Sequence, residues 1–230
     1  MKKQTKLVLI LATTVCSLSA CNNGSTANET KDTTTNSTAM TDSNKTNQKM
    51  EAGQMKPMSS MTEKMNGIKL TGDFDNDFAA LMIEHHQGAV DMSEMELSKG
   101  ADAQMKKMAQ TMVTDHKSEI EQLKSFMSHH DPSSPEYKKE KAHTHSNGDE
   151  NDLSTAMKME TEKMSGIQMT GNADKDYAMM MQAHHEDAIK MSKAEIAHGH
   201  HAELKKMAQN MTNDDAKEIK EFQKYLSSQK

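Results

Sequence analysis

The chain has 230 residues, among them 24 Met and 12 His, with no Trp and no Arg, and only 34% of the residues are hydrophobic. A net charge of −6 argues against nucleic acid as a partner. Both cysteines, Cys16 and Cys21, fall within the first 21 residues, which excludes a disulfide framework or a thiolate zinc site in the remainder.

Residues 1–20 read as a lipoprotein signal peptide. Lys2, Lys3 and Lys6 give a basic start, and Leu7 to Leu18 is an apolar run too short to cross a bilayer as a helix. The stretch Leu18-Ser19-Ala20-Cys21 resembles a lipobox, in which Cys21 carries the lipid and becomes the first mature residue. The expected location is therefore the cell envelope, with the lipid anchor as the sole membrane contact. The outer membrane, a periplasm-facing surface and the cell surface all remain open. Residues 21–56 are rich in Ser, Thr, Asn and Lys and read as a disordered tether. Met40, Met50, Met55, Met58 and Met61 lie in or near that tether, where no core is expected to receive them.

An internal repeat organises the rest. A shift of 99 aligns residues 62–123 with 161–222 without a gap, with 29 of 62 positions identical. The pairs include Thr71-Gly72 with Thr170-Gly171, His85-His86 with His184-His185, Met92-Ser93 with Met191-Ser192, and Gly100 with Gly199. The expected layout is a first helical repeat at 57–127, a polar linker at 128–152 containing Pro132, Pro135 and Gly148, and a second repeat at 153–230.

Within the first repeat, Asp75 to Ser98 lacks Pro, and Phe78, Met82, Ala89, Met92 and Met95 recur at helical spacing. Asp73 or Asp75 is placed to cap its start, and Gly100 to end it in a left-handed conformation. A second helix is expected from about Asp102 to Met127, with Met105, Met108, Met112, His116, Ile120 and Leu123 on one face. A shorter helix precedes Gly67, and the second repeat follows the same plan. Two hairpins with narrow apolar stripes hide them by packing together, giving an all-α four-helix bundle with approximate two-fold symmetry.

The candidate ligands sit on these helices. The pattern Met82-x-x-His85-His86-x-x-Ala89-x-x-Met92 recurs as Met181-x-x-His184-His185-x-x-Ala188-x-x-Met191, and Met108, Met112 and His116 form a row at steps of four. A thioether is a soft donor and imidazole a borderline one, so together they suit Cu(I) and, as its surrogate, Ag(I). Met at helical spacing also serves as core filler. The remaining histidines, His129-His130, His143-x-His145 and His198-x-His200-His201, fall in expected loops, where they read either as solvated side chains or as auxiliary Cu(II) or Zn(II) ligands.

The doubled His-His-x-x-Ala-x-x-Met signature and the downstream Glu119-Ile120 and Glu218-Ile219 pairs resemble the CopM-like family known as domain of unknown function 305. The resemblance covers roughly residues 60–226 in tandem copies. It implies a ferritin-like bundle, export to the envelope, and copper or silver binding through His85, His86, Met92, His184, His185 and Met191, with Met82 and Met181 nearby. The family's Gln three positions before the Glu-Ile pair is replaced here by His116 in one repeat and Asp215 in the other, so the two sites need not be equivalent.

The leading expectation is a non-enzymatic envelope protein that sequesters or chaperones copper, with a partner protein for metal hand-off. One alternative is a Met-rich interaction or oxidant-absorbing protein. A di-iron oxidase would need a Glu-x-x-His on each of two helices, and only Glu195-x-x-His198 supplies one, since Glu96 is followed by Lys99.

Overall fold

The computed structural model describes residues 55–131 and 166–229, together with 153, 155, 156, 162 and 163. The expected signal peptide, Cys21, Met40, Met50, His143 and His145 lie outside the described residues. The described elements are α1 (55–67), α2 (Phe74–Lys99), α3 (Ala103–His129), α4 (Ala173–His198) and α5 (Ala202–Ser228). No strand occurs among the described residues, and none of these helices is long and apolar enough to cross a membrane.

α1 begins inside the segment expected to be a tether. Met58, Met61 and Met65 stand three and four residues apart on one helical face, each 2% exposed, and Met55 packs partly buried against the same core. These methionines therefore fill a core after all. Gly88 on α2 receives Met61, whose side chain occupies the space where a Cβ would stand. Among the described residues preceding α4, 153, 155, 156, 162 and 163 are helical, and Leu153 and Ala156 are buried.

The turn into each long helix is set by one repeated aspartate. Asp77 accepts from Thr71 N at 2.8 Å, Thr71 Oγ1 at 2.7 Å and Gly72 N at 3.0 Å, and Asp176 does the same for Thr170 and Gly171. Gly72 and Gly171 take φ of 84° and 80°, which explains the repeated Thr-Gly. Of the two candidate caps, Asp73 holds the start of α2 by accepting from Asn76 N at 3.1 Å, and Asn172 holds α4 by accepting from Lys175 N at 2.9 Å.

Asp75 has another task. It reaches the opposite hairpin and accepts from the backbone N–H groups of His200 at 3.0 Å and His201 at 2.8 Å. Its counterpart Asp174 accepts from Ala101 N at 2.8 Å and Asp102 N at 2.7 Å. Each repeat thus binds the hairpin turn of the other. Gly100 and Gly199 sit at those turns with φ −64°, so the left-handed ending expected for Gly100 is not adopted. They are glycines for space: the carboxyl groups of Glu96 and Glu195 fold back where a Cβ would stand.

Glu96 and Glu195 are 2% and 0% exposed and each lies against an aspartate, Asp174 and Asp75 respectively. Burial, followed by the neighbouring carboxylate, pushes Glu96 up to about 8 and Glu195 up to about 10. Each glutamic acid is therefore held in its protonated form at neutral pH beside its aspartate. The folded state holds these protons while an unfolded glutamate releases them near 4.5, so their stabilisation is full below that pH and is lost as pH rises through 8 and then 10. A Glu195→Gln variant puts a neutral amide that does not titrate in the same place. Urea midpoints should fall between about pH 6 and pH 9 for the natural chain and fall less for the variant; equal slopes would rule out a raised Glu195 pKa.

α2 packs on α3 and α4 on α5, and the two hairpins meet chiefly through α2 and α4. The Tyr177 hydroxyl and Ser93 Oγ join those two helices at 3.0 Å. The core takes Phe78, Met82, Ala89 and Met92 as expected, but Met95 is half-buried and Glu96 occupies the inward position beside it. α3 buries all six residues expected on its inner face and continues through His129, two residues into the segment assigned to the linker.

Candidate metal centre

The His-His pairs fall on the inward faces of α2 and α4 where the hairpins meet. The His85 and His184 rings have centroids 3.6 Å apart, across the approximate symmetry axis. His116, from α3, joins them: its ring lies 4.6 Å from His86, 5.9 Å from His185 and 6.3 Å from His184. None of the five imidazoles is more than 5% exposed. Sequence spacing placed each pair on one face; only the packing of α2 on α4 makes them a single cluster.

Hydrogen bonds fix the ring orientations. His184 Nε2 donates to the His85 carbonyl oxygen at 2.9 Å, which leaves Nδ1 as the unprotonated nitrogen, buried with no hydrogen-bond partner. His86 Nε2 lies 3.1 Å from Glu119 Oε2. His185 Nε2 donates to Glu218 Oε2 at 2.7 Å and lies 3.9 Å from Asp215 Oδ1. Burial, reinforced by the neighbouring rings, holds His116 and His184 well below the usual imidazole range. His86 is also lowered by burial, against the pull of Glu119. His185 differs: burial lowers it, but Asp215 and Glu218 outweigh burial and the net shift is upward. Burial pushes Asp215 up to about 7.

Two repeat-related triads emerge, His86–His116–Glu119 and His185–Asp215–Glu218, and in each the ligand atoms lie within 4.8 Å of one another. Glu119 and Glu218 were legible only as part of a recurring Glu-Ile pair; their spacing of three from His116 and Asp215 was the available signal for a ligand role. Both are only half-buried, and they open to a groove of about 540 Å³ between α3 and α5, also lined by Asp115, Asp214 and Glu221. Burial and then the nearby Glu218 and Glu119 raise Asp115, as expected where like charges crowd. The groove's lining is mostly acidic, with Lys217 among the carboxylates, and it reaches residues of both triads.

The methionines expected as ligands are all buried: Met82, Met92, Met112, Met181 and Met191 are 0–1% exposed. Met82, Met112 and Met181 stand one helical turn before His86, His116 and His185, and Met92 and Met191 about two turns beyond His85 and His184. They share these helices with the histidines and belong to the same buried core. The outlying histidines do not join it. His130 Nε2 meets Asp73 Oδ2 at 2.6 Å, His200 Nδ1 lies 3.5 Å from Asp75, and His201 packs edge-on to Phe126. Glu195-x-x-His198 is likewise divided, Glu195 against Asp75 and His198 against Phe74.

The family described as a domain of unknown function, DUF305, matches twice, over residues 22–127 and 126–226. No curated protein matches. Among solved structures, CopM in the Cu(II)-bound form is 22% identical with a TM-score of 0.48, covering 68% of this chain and 98% of that one. CopM in the Ag-bound form (by soaking) is 23% identical with a TM-score of 0.48, covering 67% and 96%. CopM in the Cu(I)-bound form is 23% identical with a TM-score of 0.47 over the same shares.

Proposed function

The chain belongs to the DUF305 family, and from that premise we propose that it is an envelope copper-binding protein that sequesters Cu(I) or passes it on. The observation that carries the reading is the buried cluster of five imidazoles, with His116 and His184 held neutral at physiological pH. A neutral imidazole offers a lone pair, and the orphaned His184 Nδ1 is such a lone pair with nothing to accept from. Imidazole and thioether suit Cu(I), and Ag(I) by the same softness. A single positive charge also costs less to bury than a double one, and Glu119 and Glu218 at the cluster edge offset it. The ligand candidates are His85, His86, His116, His184 and His185, with Met82, Met92, Met112, Met181 and Met191 as soft supplements.

Nothing in this arrangement calls for catalysis, and the role proposed is binding. Burial of the methionines favours a metal role over an oxidant-absorbing one, because shielded thioethers are poor targets for peroxide. Anchoring through lipid on Cys21 and hand-off to a partner protein complete the proposal.

The test is an anaerobic Cu(I) titration of the chain against a chromogenic chelator. The protein should withdraw copper from the chelator in a saturable step, and Ag(I) should displace it. A titration indistinguishable from chelator alone would overturn the reading.

A further inference from the structure

The approximate symmetry breaks where it matters for chemistry. Residue 116 is His on α3, and its counterpart on α5 is Asp215. One triad therefore presents two imidazoles and a carboxylate, the other one imidazole and two carboxylates. We propose that His185, Asp215 and Glu218 form a site for a divalent cation of the Zn(II) class at the edge of the imidazole cluster, with which it shares His185. Three independent observations carry it. The donor atoms of the triad lie within 4.8 Å of one another, a spacing that a small inward movement closes around one ion. Asp215 is 6% exposed, yet its Oδ2 is buried with no hydrogen-bond partner, an arrangement that costs free energy until a cation or donor meets it. The half-buried Glu218 connects the triad to the acidic groove, which gives a hydrated divalent ion a route in.

Donor chemistry then separates the two sites. Carboxylate oxygens are hard ligands that Cu(I) uses poorly, whereas Zn(II) takes His nitrogen and Asp or Glu oxygen readily. Two carboxylates also supply the two negative charges that a divalent ion needs in a desolvated place, and the His86–His116–Glu119 triad supplies one. The replacement at position 215 thus turns a duplicated site into two sites of different preference. The proposal deepens the metal-binding reading of the central cluster, and the test below separates the two.

Zn(II) is titrated calorimetrically into the full chain and into Asp215→Asn, a substitution of nearly equal shape, with Cu(I) competition measured on both and helical content checked by circular dichroism. Zn(II) affinity should fall at least ~10-fold in Asp215→Asn while Cu(I) affinity stays within about twofold. A Glu218→Gln chain should repeat the Zn(II) loss, and His116→Asp should add a second Zn(II) equivalent by recreating the triad in the first repeat. Unchanged Zn(II) affinity in both Asp215→Asn and Glu218→Gln overturns the proposal, since Zn(II) then binds elsewhere on the chain. Absence of Cu(I) binding by the natural chain overturns the copper reading alone and leaves the Zn(II) comparison intact.

Discussion

Alanine at His85, His86, His184 and His185 together should weaken Cu(I) binding by more than ~100-fold, because these four rings hold most of the lone pairs that the bundle centre offers. Loss of a residue that merely orients a ligand already costs 10–100-fold in metal affinity, so loss of the ligands themselves costs more. Four truncated rings also leave a hollow between α2 and α4, so the circular dichroism of the variant must be read beside its copper affinity. A single change separates the two effects. His184→Gln keeps an amide N–H to donate to the His85 carbonyl, now held at 2.9 Å, but has no imine nitrogen to replace Nδ1. It should retain its thermal midpoint and still lose copper affinity about 10-fold. A fourfold alanine variant that stays folded and competes for Cu(I) like the natural chain would show that these histidines are core and nothing more.

The sequence reading reached the helices and the duplication because both are local or periodic properties. The apolar spacing of Met105 through Leu123 and the register of 99 need no tertiary knowledge, and the observed helices follow them closely. What escaped the reading depends on a second element arriving. Met61 looked idle because its partner surface at Gly88 lies 27 residues away in sequence. Gly100 was read as a left-handed cap because that is the usual reason for a glycine after a helix; here the reason is the Glu96 carboxyl folded over it. Of the two candidate caps, Asp73 takes the role and Asp75 instead ties down the His200–His201 turn of the other repeat. At the metal centre, the four paired histidines are legible from their doubled occurrence and His116 from its row with Met108 and Met112. The carboxylates were not, because Glu119 and Glu218 acquire meaning only once α3 and α5 bring them against His86 and His185.

Phe222 joins the core to that centre, and Phe222→Ala should cost ~3–5 kcal/mol of stability, the range for deleting a fully buried aromatic ring. Its ring stands edge-on to Tyr177 at 5.8 Å and to His185 at 5.7 Å, with interplanar angles of 82° and 87°. Edge-to-face contacts of this kind add to the area term, so truncation loses both. The repeat supplies its own control: the equivalent residue is Leu123, also 0% exposed, so a leucine fits this layer of the bundle. Phe222→Leu should therefore cost less than half as much as the alanine change. Urea unfolding with an unchanged dependence on denaturant measures both, and an alanine cost below about 1 kcal/mol would contradict the packing described. The contact with His185 predicts a second, separable effect. Phe222 backs the imidazole whose Nε2 meets Glu218 at 2.7 Å, so the alanine variant frees that ring to tilt away from both carboxylates. Divalent-metal affinity should then fall in Phe222→Ala and be largely retained in Phe222→Leu. Cu(I) affinity, spread over five imidazoles of which His185 is the one in contact with Phe222, should change less than divalent affinity in the same variant.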